Sequence, residues 1–236
     1  MRVFGGLRRE DWERWGQFTT FKANAPELLR RDIRGDEVVY CSPLVDPYQP
    51  AEASEQMMRR ILEVLIDRPP RVFAIQTRGT LILRDLDLLT ALNDRTTLRV
   101  SFSITTNRDD VRRLYEPHCE PNAERLATIR ELTAAGISTY ATLAPLLPCD
   151  PEQLAEAAMA ATPRDLIGDP LHVRTVKRSG ATTREAAARI AQHHGDEAWF
   201  DPAFQFTIVE RIRRTAEQHG RRFAIGPEGF SWLAPI

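Results

Sequence analysis

The sequence predicts an α/β fold built on a parallel sheet, and three observations support that prediction. Short apolar segments alternate with helical segments at a step of roughly 25 to 35 residues, the length of a strand–helix–strand unit. The apolar segments lack the polar alternation of a strand with one face in water, so helices should cover the sheet. Polar loops follow the segments on their carboxyl side, which in parallel folds is the edge where ligands bind.

Length and composition indicate a single globular domain. The 236 residues fit one α/β unit without a linker or repeat, so we expect one domain over 1–236, with an N-terminal lead-in over 1–24 and a C-terminal part over 151–236. No apolar run approaches the roughly 20 residues that cross a bilayer. The formal charge of -1 gives no global attraction to nucleic acid, and the charged, aromatic N-terminus does not match a secretory signal, which predicts a cytoplasmic protein.

The predicted strands are short apolar segments that end in polar or turn-forming residues. VVYC precedes a proline-rich loop, VFAIQ precedes Thr77-Arg78-Gly79, and LRVSFSI precedes Thr105-Thr106-Asn107. A fourth segment ends in the proline-bracketed APLLP. Strands are expected over 37–41, 72–76, 98–104, 137–143, 171–176 and 222–225.

The predicted helices lie between these strands. Pro26 fits the first turn of a helix that Asn24 caps and Gly35 ends, because its missing N–H costs nothing there. The next helix carries apolar residues at helical spacing and stops before a pair of prolines. Gly136 follows a helix where a left-handed residue is favoured. The further helices are expected over 52–67, 85–93, 109–115, 121–135, 152–161, 182–193 and 205–218.

Common nucleotide-binding and hydrolase motifs are absent from the sequence. It contains no GxGxxG, GxxxxGK[ST], HExxH or GxSxG. The three cysteines, Cys41, Cys119 and Cys149, lack ligand spacing, which favours free thiols. Arginines at 211, 213, 214, 221 and 222 are interleaved with glutamates, which favours a solvated helix face over a phosphate-contacting surface. Asp46 before Pro47 has two interpretations, a turn former and a ligand contact.

Several segments resemble radical SAM proteins of the spore photoproduct lyase-like group. In that group's order they are KANAPELLRRDIR at 22–34, DPYQPAE at 46–52, RDLDLL at 84–89, VSFSITT at 100–106, LYEP at 114–117 and APLLP at 144–148. DPYQPAE with RDLDLL is the most specific part. The resemblance implies a partial TIM-like (β/α)6 barrel with parallel strands, here missing its first strand. It also implies a [4Fe–4S] cluster and S-adenosylmethionine, whose reductive cleavage supplies a 5′-deoxyadenosyl radical.

The same resemblance assigns four cofactor-binding residues. Ser42 and Asp46, at the end of the first visible strand, would lie near S-adenosylmethionine. Arg78 stands where the group usually has a lysine for the ligand's carboxylate, a change that keeps the positive charge and adds a planar fork. Ser103 matches a serine of the third strand.

The chain departs from the group at the cluster. The group ligates its cluster through CxxxCxxC, placed just before a segment like 14–24, and this sequence contains no such motif. Closely placed thiolates are needed for a [4Fe–4S] cluster. Cys41, Cys119 and Cys149 are expected on a strand, an interhelical turn and a strand-end loop. We therefore expect no metal ligands here, and no radical activity from the chain as it stands.

Three hypotheses follow. The first is a radical SAM enzyme, acting as a lyase or in nucleic-acid repair, whose start is missing through truncation or a misplaced initiator. The second is a barrel scaffold or binding protein that has lost the cluster and binds S-adenosylmethionine weakly or not at all. The third is an unrelated parallel α/β enzyme acting on a phosphorylated small molecule, for which the sequence offers no phosphate loop.

The expected partners follow from the resemblance and from the missing strand. S-adenosylmethionine is the expected small-molecule partner, nucleic acid is a candidate substrate, and no membrane is expected. An unpaired strand edge invites association. The edge of strand 37–41 therefore predicts a homodimer, low solubility, or coverage by residues 1–20, whose Trp12, Trp15 and Phe18 could pack there.

Overall fold

The protein is organised on one parallel sheet. A computed structural model describes residues 18–41, 45–171 and 185–234, without the side chains of 185 and 186. Within these residues the sheet has six strands in sequence order, and each neighbouring pair is parallel. They are β1 (Val38–Cys41), β2 (Val72–Thr77), β3 (Thr97–Ser103), β4 (Ser138–Leu143), β5 (Leu166–Gly168) and β6 (Phe223–Ile225). In the described part β1 and β6 are the two edges, so the sheet is open, and the predicted class is confirmed as α/β with a partial TIM-like barrel.

Helices lie before the first strand, between the strands and after the last one. They are α1 (Ala25–Asp32), α2 (Glu52–Glu55), α3 (Met57–Asp67), α4 (Leu86–Asn93), α5 (Asp109–Tyr115), α6 (Asn122–Ala134), α7 (Pro151–Ala161), α8 (Glu185–His194), α9 (Pro202–Gln218) and α10 (Gly226–Ser231). Short 3-10 helices occupy Thr80–Asp85 and Glu197–Phe200. Among the described residues, none of these helices combines the length and apolar character that a bilayer crossing requires.

Alternating strand residues separate the sheet into two faces. On the outer face, Phe73, Val100 and Phe102 are at most 1% exposed and pack in one core with helix residues such as Leu62 and Leu65. Burying side chains of this size stabilises a fold by about 1.5–3 kcal/mol each. This core is the main hydrophobic contact that holds the helices on the sheet, as the apolar strands predict.

The inner face, opposite these helices, is closed at mid-height by the end of the described chain. Ala74, Tyr140 and Ile167 form a second apolar cluster with Leu233, which is fully buried. Phe230, from α10, packs against the same cluster. The C-terminal helix therefore covers part of the inner face, and it was not expected from the sequence pattern.

Towards the carboxyl ends of the strands, the inner face becomes polar. The hydroxyls of Ser101 and Thr142 are 2.7 Å apart and both residues are fully buried. The Tyr40 hydroxyl donates to Oε1 of Gln76 at 3.2 Å. Uncharged hydrogen-bonding groups thus follow the apolar cluster on the way to the carboxyl edge.

The fifth strand differs from its predicted position. The sequence predicts a strand over 171–176, whereas β5 is Leu166–Gly168 and Leu171 lies outside any strand; residues 172–176 are outside the described part. β5 has only three residues, fewer than a period-two pattern needs to stand out. Gly168 packs closely against the next strand, because a Cβ there would lie 2.4 Å from the Phe223 ring and the ring would have to move.

Two helices also differ from expectation at their N-terminal side. The predicted helix over 52–67 is divided at Gln56, which has a left-handed φ of 50° and separates α2 from α3. Asn24 stands at the cap of α1 but makes no side-chain capping hydrogen bond. Residues 52–56, before the apolar positions begin at Met57, are mostly good helix formers, so the side chains give no sign of the break.

The DPYQPAE and RDLDLL segments bind each other through a buried ionic cluster. Glu52 accepts from the N–H groups of Met57 and Met58 at 3.1 and 2.8 Å, and from Arg84 Nη2 at 2.9 Å. Arg84 also donates to both oxygens of Asp85, which is fully buried. The most specific part of the family resemblance therefore fixes α3 against the 3-10 helix after β2.

Candidate functional site at the carboxyl edge of the sheet

The loops after β1 and β2 meet at the carboxyl edge and are joined by Asp46. Its Oδ1 accepts from the Thr77 hydroxyl at 2.6 Å and from the Tyr48 N–H at 2.9 Å, and its Oδ2 accepts from the Arg78 N–H at 2.8 Å. Both carboxylate oxygens are therefore engaged by the chain itself. Asp46 acts as a turn former that fixes the backbone of Arg78, and its predicted contact with S-adenosylmethionine remains a prediction.

A close backbone approach holds the same two loops together. A Cβ on Gly79 would lie 2.5 Å from the Tyr48 carbonyl oxygen, well inside van der Waals contact. Because the obstacle is backbone, it cannot rotate away. Glycine at 79 thus allows the residue after Arg78 to pack directly on the DPYQPAE loop.

The Arg78 side chain forms an ion pair that crosses to the next part of the barrel. Its Nη1 donates to Oε1 of Glu116, which follows α5. The Arg78 side chain is 37% exposed, whereas Glu116 is 6% exposed. Burial acts to lower the pKa of Arg78, but Glu116 and the neighbouring Cys119 outweigh it and the pKa is raised. Arg78 is a permanent cation with one side open to solvent.

Glu116 is fixed from the opposite side. Its Oε2 accepts from the Thr105 hydroxyl at 2.7 Å and from Arg125 Nη1 at 2.9 Å. Arg125 is fully buried and donates through Nη2 to the carbonyl of Ser103, the last residue of β3. Burial acts to raise the pKa of Glu116, but Arg125 and Arg78 prevail and the pKa is lowered.

The structure brings together only part of the predicted cofactor-binding set. Asp46 and Arg78 are in direct contact, whereas Ser103 is 1% exposed and meets the cluster through its carbonyl. Ser42 lies outside the described residues. The sequence did not predict Glu116 or Arg125 as site residues. The available signal concerned Glu116, which is the glutamate of the LYEP segment in the family resemblance.

The cysteines do not form a metal site. Cys41 ends β1, Cys119 lies between α5 and α6, and Cys149 lies between β4 and α7, which confirms their predicted separation. Within the described ranges, no group of three or more His, Cys, Asp or Glu side chains could hold a metal ion. The thiols therefore do not fit a [4Fe–4S] cluster, which needs several thiolates close together.

The three thiols should also react slowly. Burial, with smaller contributions from Asp46 and Asp150, raises the pKa of Cys41 and of Cys149 to about 12, and burial followed by Glu116 raises the pKa of Cys119. Because the thiolate is the reactive form, we expect native protein at pH 8 to react with a disulfide reagent much more slowly than protein in urea. Rapid labelling of all three thiols in the native protein would contradict this.

The arginine-rich helix α9 does not present a free basic surface. Arg211 makes a two-point ion pair with Glu152, at 2.8 and 2.6 Å. Beyond the helix, Arg222 pairs with Asp165 at 2.7 Å and lies over the Trp232 ring. These contacts agree with the predicted solvated face and offer no support for phosphate contacts.

The chemistry available at the carboxyl edge is recognition of an anion. A guanidinium has five N–H donors, and the contact with Glu116 uses one nitrogen of Arg78. Carboxylates match the remaining donors in charge and planar geometry. The described site has no thiolate or paired acid–base group that would support bond breaking by itself.

Sequence comparison finds relatives of limited coverage, and no family model matches the chain. An uncharacterized protein of Methanocaldococcus jannaschii is 28% identical over 139 residues, 58% of this chain and 51% of its own. One from Mycobacterium tuberculosis is 30% identical over 131 residues, covering 54% and 38%, and one from Acidianus two-tailed virus is 30% identical over 138 residues, covering 57% and 44%. The chain thus spans about half, or less, of the length of these relatives.

Structural comparison finds solved structures of spore photoproduct lyase variants. One matches with a TM-score of 0.56 and 17% identity over 86% of this chain and 64% of the lyase. The chain has a spore photoproduct lyase-like fold. The second lyase structure, which contains a dinucleoside spore photoproduct, matches with a TM-score of 0.52 and 16% identity at the same coverage. At such identity, the likeness to spore photoproduct lyase concerns the fold.

Proposed function

We propose that this chain is the barrel of a radical SAM-type protein and that its carboxyl edge binds S-adenosylmethionine, with Arg78 receiving the carboxylate. The observation that carries the proposal is the Arg78 side chain, which is 37% exposed; the Arg78 N–H donates to Asp46 and the guanidinium donates to Glu116. The spore photoproduct lyase-like fold supports it, since that enzyme belongs to the radical SAM group.

The described residues do not supply the ligands of a [4Fe–4S] cluster. S-adenosylmethionine provides radical chemistry only when a reduced [4Fe–4S] cluster donates an electron, and the described residues offer no group of thiolates for one. We therefore assign to this chain ligand binding and orientation, with no chemical step. Radical chemistry would require CxxxCxxC or an equivalent set from polypeptide beyond the described residues.

The nature of the substrate is a separate part of the proposal. Spore photoproduct lyase has been captured with a dinucleoside photoproduct. By analogy we propose a nucleic-acid-related substrate, and lyase or repair chemistry, for the complete protein. The alternative is a non-catalytic barrel scaffold, favoured by the placement of the three cysteines on separate parts of the fold. Homodimerisation through β1 also remains a prediction.

Ligand-observed NMR, which detects weak binding, tests the proposal. We expect weak binding of S-adenosylmethionine by the 236-residue protein, because the contacts that a cluster iron would add are missing. Arg78→Gln should weaken it about tenfold or more, since a hydrogen bond to a charged group contributes roughly 1.5–3 kcal/mol. Arg108→Gln, which removes an exposed arginine paired with Asp110, is the matched control and should bind normally.

Two results would count against the proposal. Equal binding by the wild type and Arg78→Gln would show that Arg78 does not receive the ligand. Iron and sulfide analysis after anaerobic reconstitution should find no stoichiometric cluster in the 236-residue protein. A full cluster would overturn the conclusion that these cysteines do not fit one.

A further inference from the structure

Glu116 is a buried carboxylate that would not itself touch a ligand at the proposed site. It lies just beyond α5 and is 6% exposed. Three side chains from three segments donate to it: Arg78 after β2, Thr105 after β3 and Arg125 on α6. Burying an ionised group is costly unless it is paired and hydrogen-bonded, as Glu116 is here.

The contacts of Glu116 are divided between its two oxygens. Oε2 is held by Thr105 and Arg125, and Arg125 is in turn fastened to the carbonyl of Ser103 at the end of β3. Oε1 receives Arg78. Oε2 is therefore anchored through Arg125 to the end of β3, and Oε1 holds the flexible side chain of Arg78.

The part of Arg78 that this arrangement immobilises is the long side chain, since Asp46 already fixes its backbone. A free arginine side chain samples many rotamers, and ordering it on ligand binding lowers affinity. With one nitrogen on Glu116 and Cys119 as a further neighbour, the guanidinium is oriented before a ligand arrives and keeps the donors that these two contacts do not use. An arginine can make both contacts through its planar fork, whereas the ammonium of a lysine is a single point charge.

We infer that Glu116 is a positioning residue that pre-orients Arg78 for the carboxylate of the ligand and so determines preference for ligands with an intact amino-acid group. This inference rests on the proposed function and extends it to a residue that does not contact the ligand. Replacing Glu116 should therefore lower the affinity only for ligands that carry the carboxylate.

The test compares two probes on Glu116→Gln by ligand-observed NMR. S-adenosylmethionine carries the carboxylate, and 5′-methylthioadenosine keeps the nucleoside and thioether without it. Glu116→Gln should lose about three- to tenfold in affinity for S-adenosylmethionine, the effect of releasing one immobilised side chain, with no change for 5′-methylthioadenosine. In an Arg78→Gln background the same substitution should have no further effect on either probe.

A matched variant separates positioning from a general loss of stability. Glu52→Gln alters a carboxylate that is equally buried and also has three donors, but it has no contact with Arg78. It should lower the melting temperature and leave both affinities unchanged. The inference is overturned if Glu116→Gln weakens both probes equally, or weakens S-adenosylmethionine in the absence of Arg78. If wild-type protein binds neither probe, the proposed function itself fails.

Discussion

Replacing Asp85 by alanine is expected to destabilise the protein by about 3–5 kcal/mol, the usual cost of removing one member of a buried ionic cluster. Asp85 is fully buried and accepts from Arg84 at 2.8 and 2.7 Å and from Arg59 at 3.1 Å. Without it, Arg84 keeps only its contacts with Glu52, and Arg59 of α3 loses the buried one of its two carboxylate partners. Urea unfolding followed by circular dichroism measures the change.

Asp87 provides the matched control for this substitution. It pairs with the same Arg59, at 2.8 Å, but its side chain is 61% exposed. Exposed ion pairs contribute about 0–1 kcal/mol, so Asp87→Ala should fall in that range. Similar losses for the two alanine variants would mean that the cluster is a surface feature and does not clamp the two motifs.

Arg125→Met should produce a loss of similar size, about 3–5 kcal/mol, because it leaves Glu116 charged and buried with fewer donors. Arg125 is fully buried, and methionine replaces most of its length without its charge. Adding Glu116→Gln removes the stranded charge, so the double variant should be more stable than Arg125→Met alone. Thermal and urea unfolding of the four proteins in this cycle give the coupling energy between the two residues.

The same pair has a defined dependence on pH. The pKa of Glu116 is lowered in the folded state, so the unfolded chain takes up a proton at higher pH. The resulting stabilisation is complete above the ordinary glutamate pKa of about 4.3 and is lost as the pH falls towards the folded-state pKa. Unfolding free energies measured between about pH 6 and pH 3 should therefore decline less steeply for Glu116→Gln than for the wild type. Parallel curves would contradict this assignment.

Much of the fold could be predicted because apolar segments and helical spacing are local signals. Four strands were placed within a residue or two of β1 to β4, and the parallel class followed from their apolar character. β5 could not be predicted, because three residues are too few to show the alternation of a strand. The break at Gln56 could not be predicted, because it is a change of backbone conformation, with φ of 50°, in a stretch of helix-forming residues.

The candidate site is harder to predict from the sequence than the fold, because its contacts join distant parts of the chain. Arg78 can be predicted from the family resemblance, but its partner Glu116 lies 38 residues further along the chain. Arg125 resembles any surface arginine of an amphipathic helix, and only the structure shows that it is fully buried. The sequence allows Asp46 to be a turn former or a ligand contact. The hydrogen bonds that it accepts from Thr77 and Arg78 favour the turn former.

The apolar cluster around Leu233 gives the half-barrel a floor. Ala74, Tyr140 and Ile167 occupy the middle of their strands, and the C-terminal residues seal the inner face there. Nearer the carboxyl edge, Ser101 and Thr142 are also fully buried, so the protein's own side chains fill this part of the inner face as well. A ligand at the proposed site would therefore be received at the carboxyl edge around Arg78 and would not pass through the half-barrel.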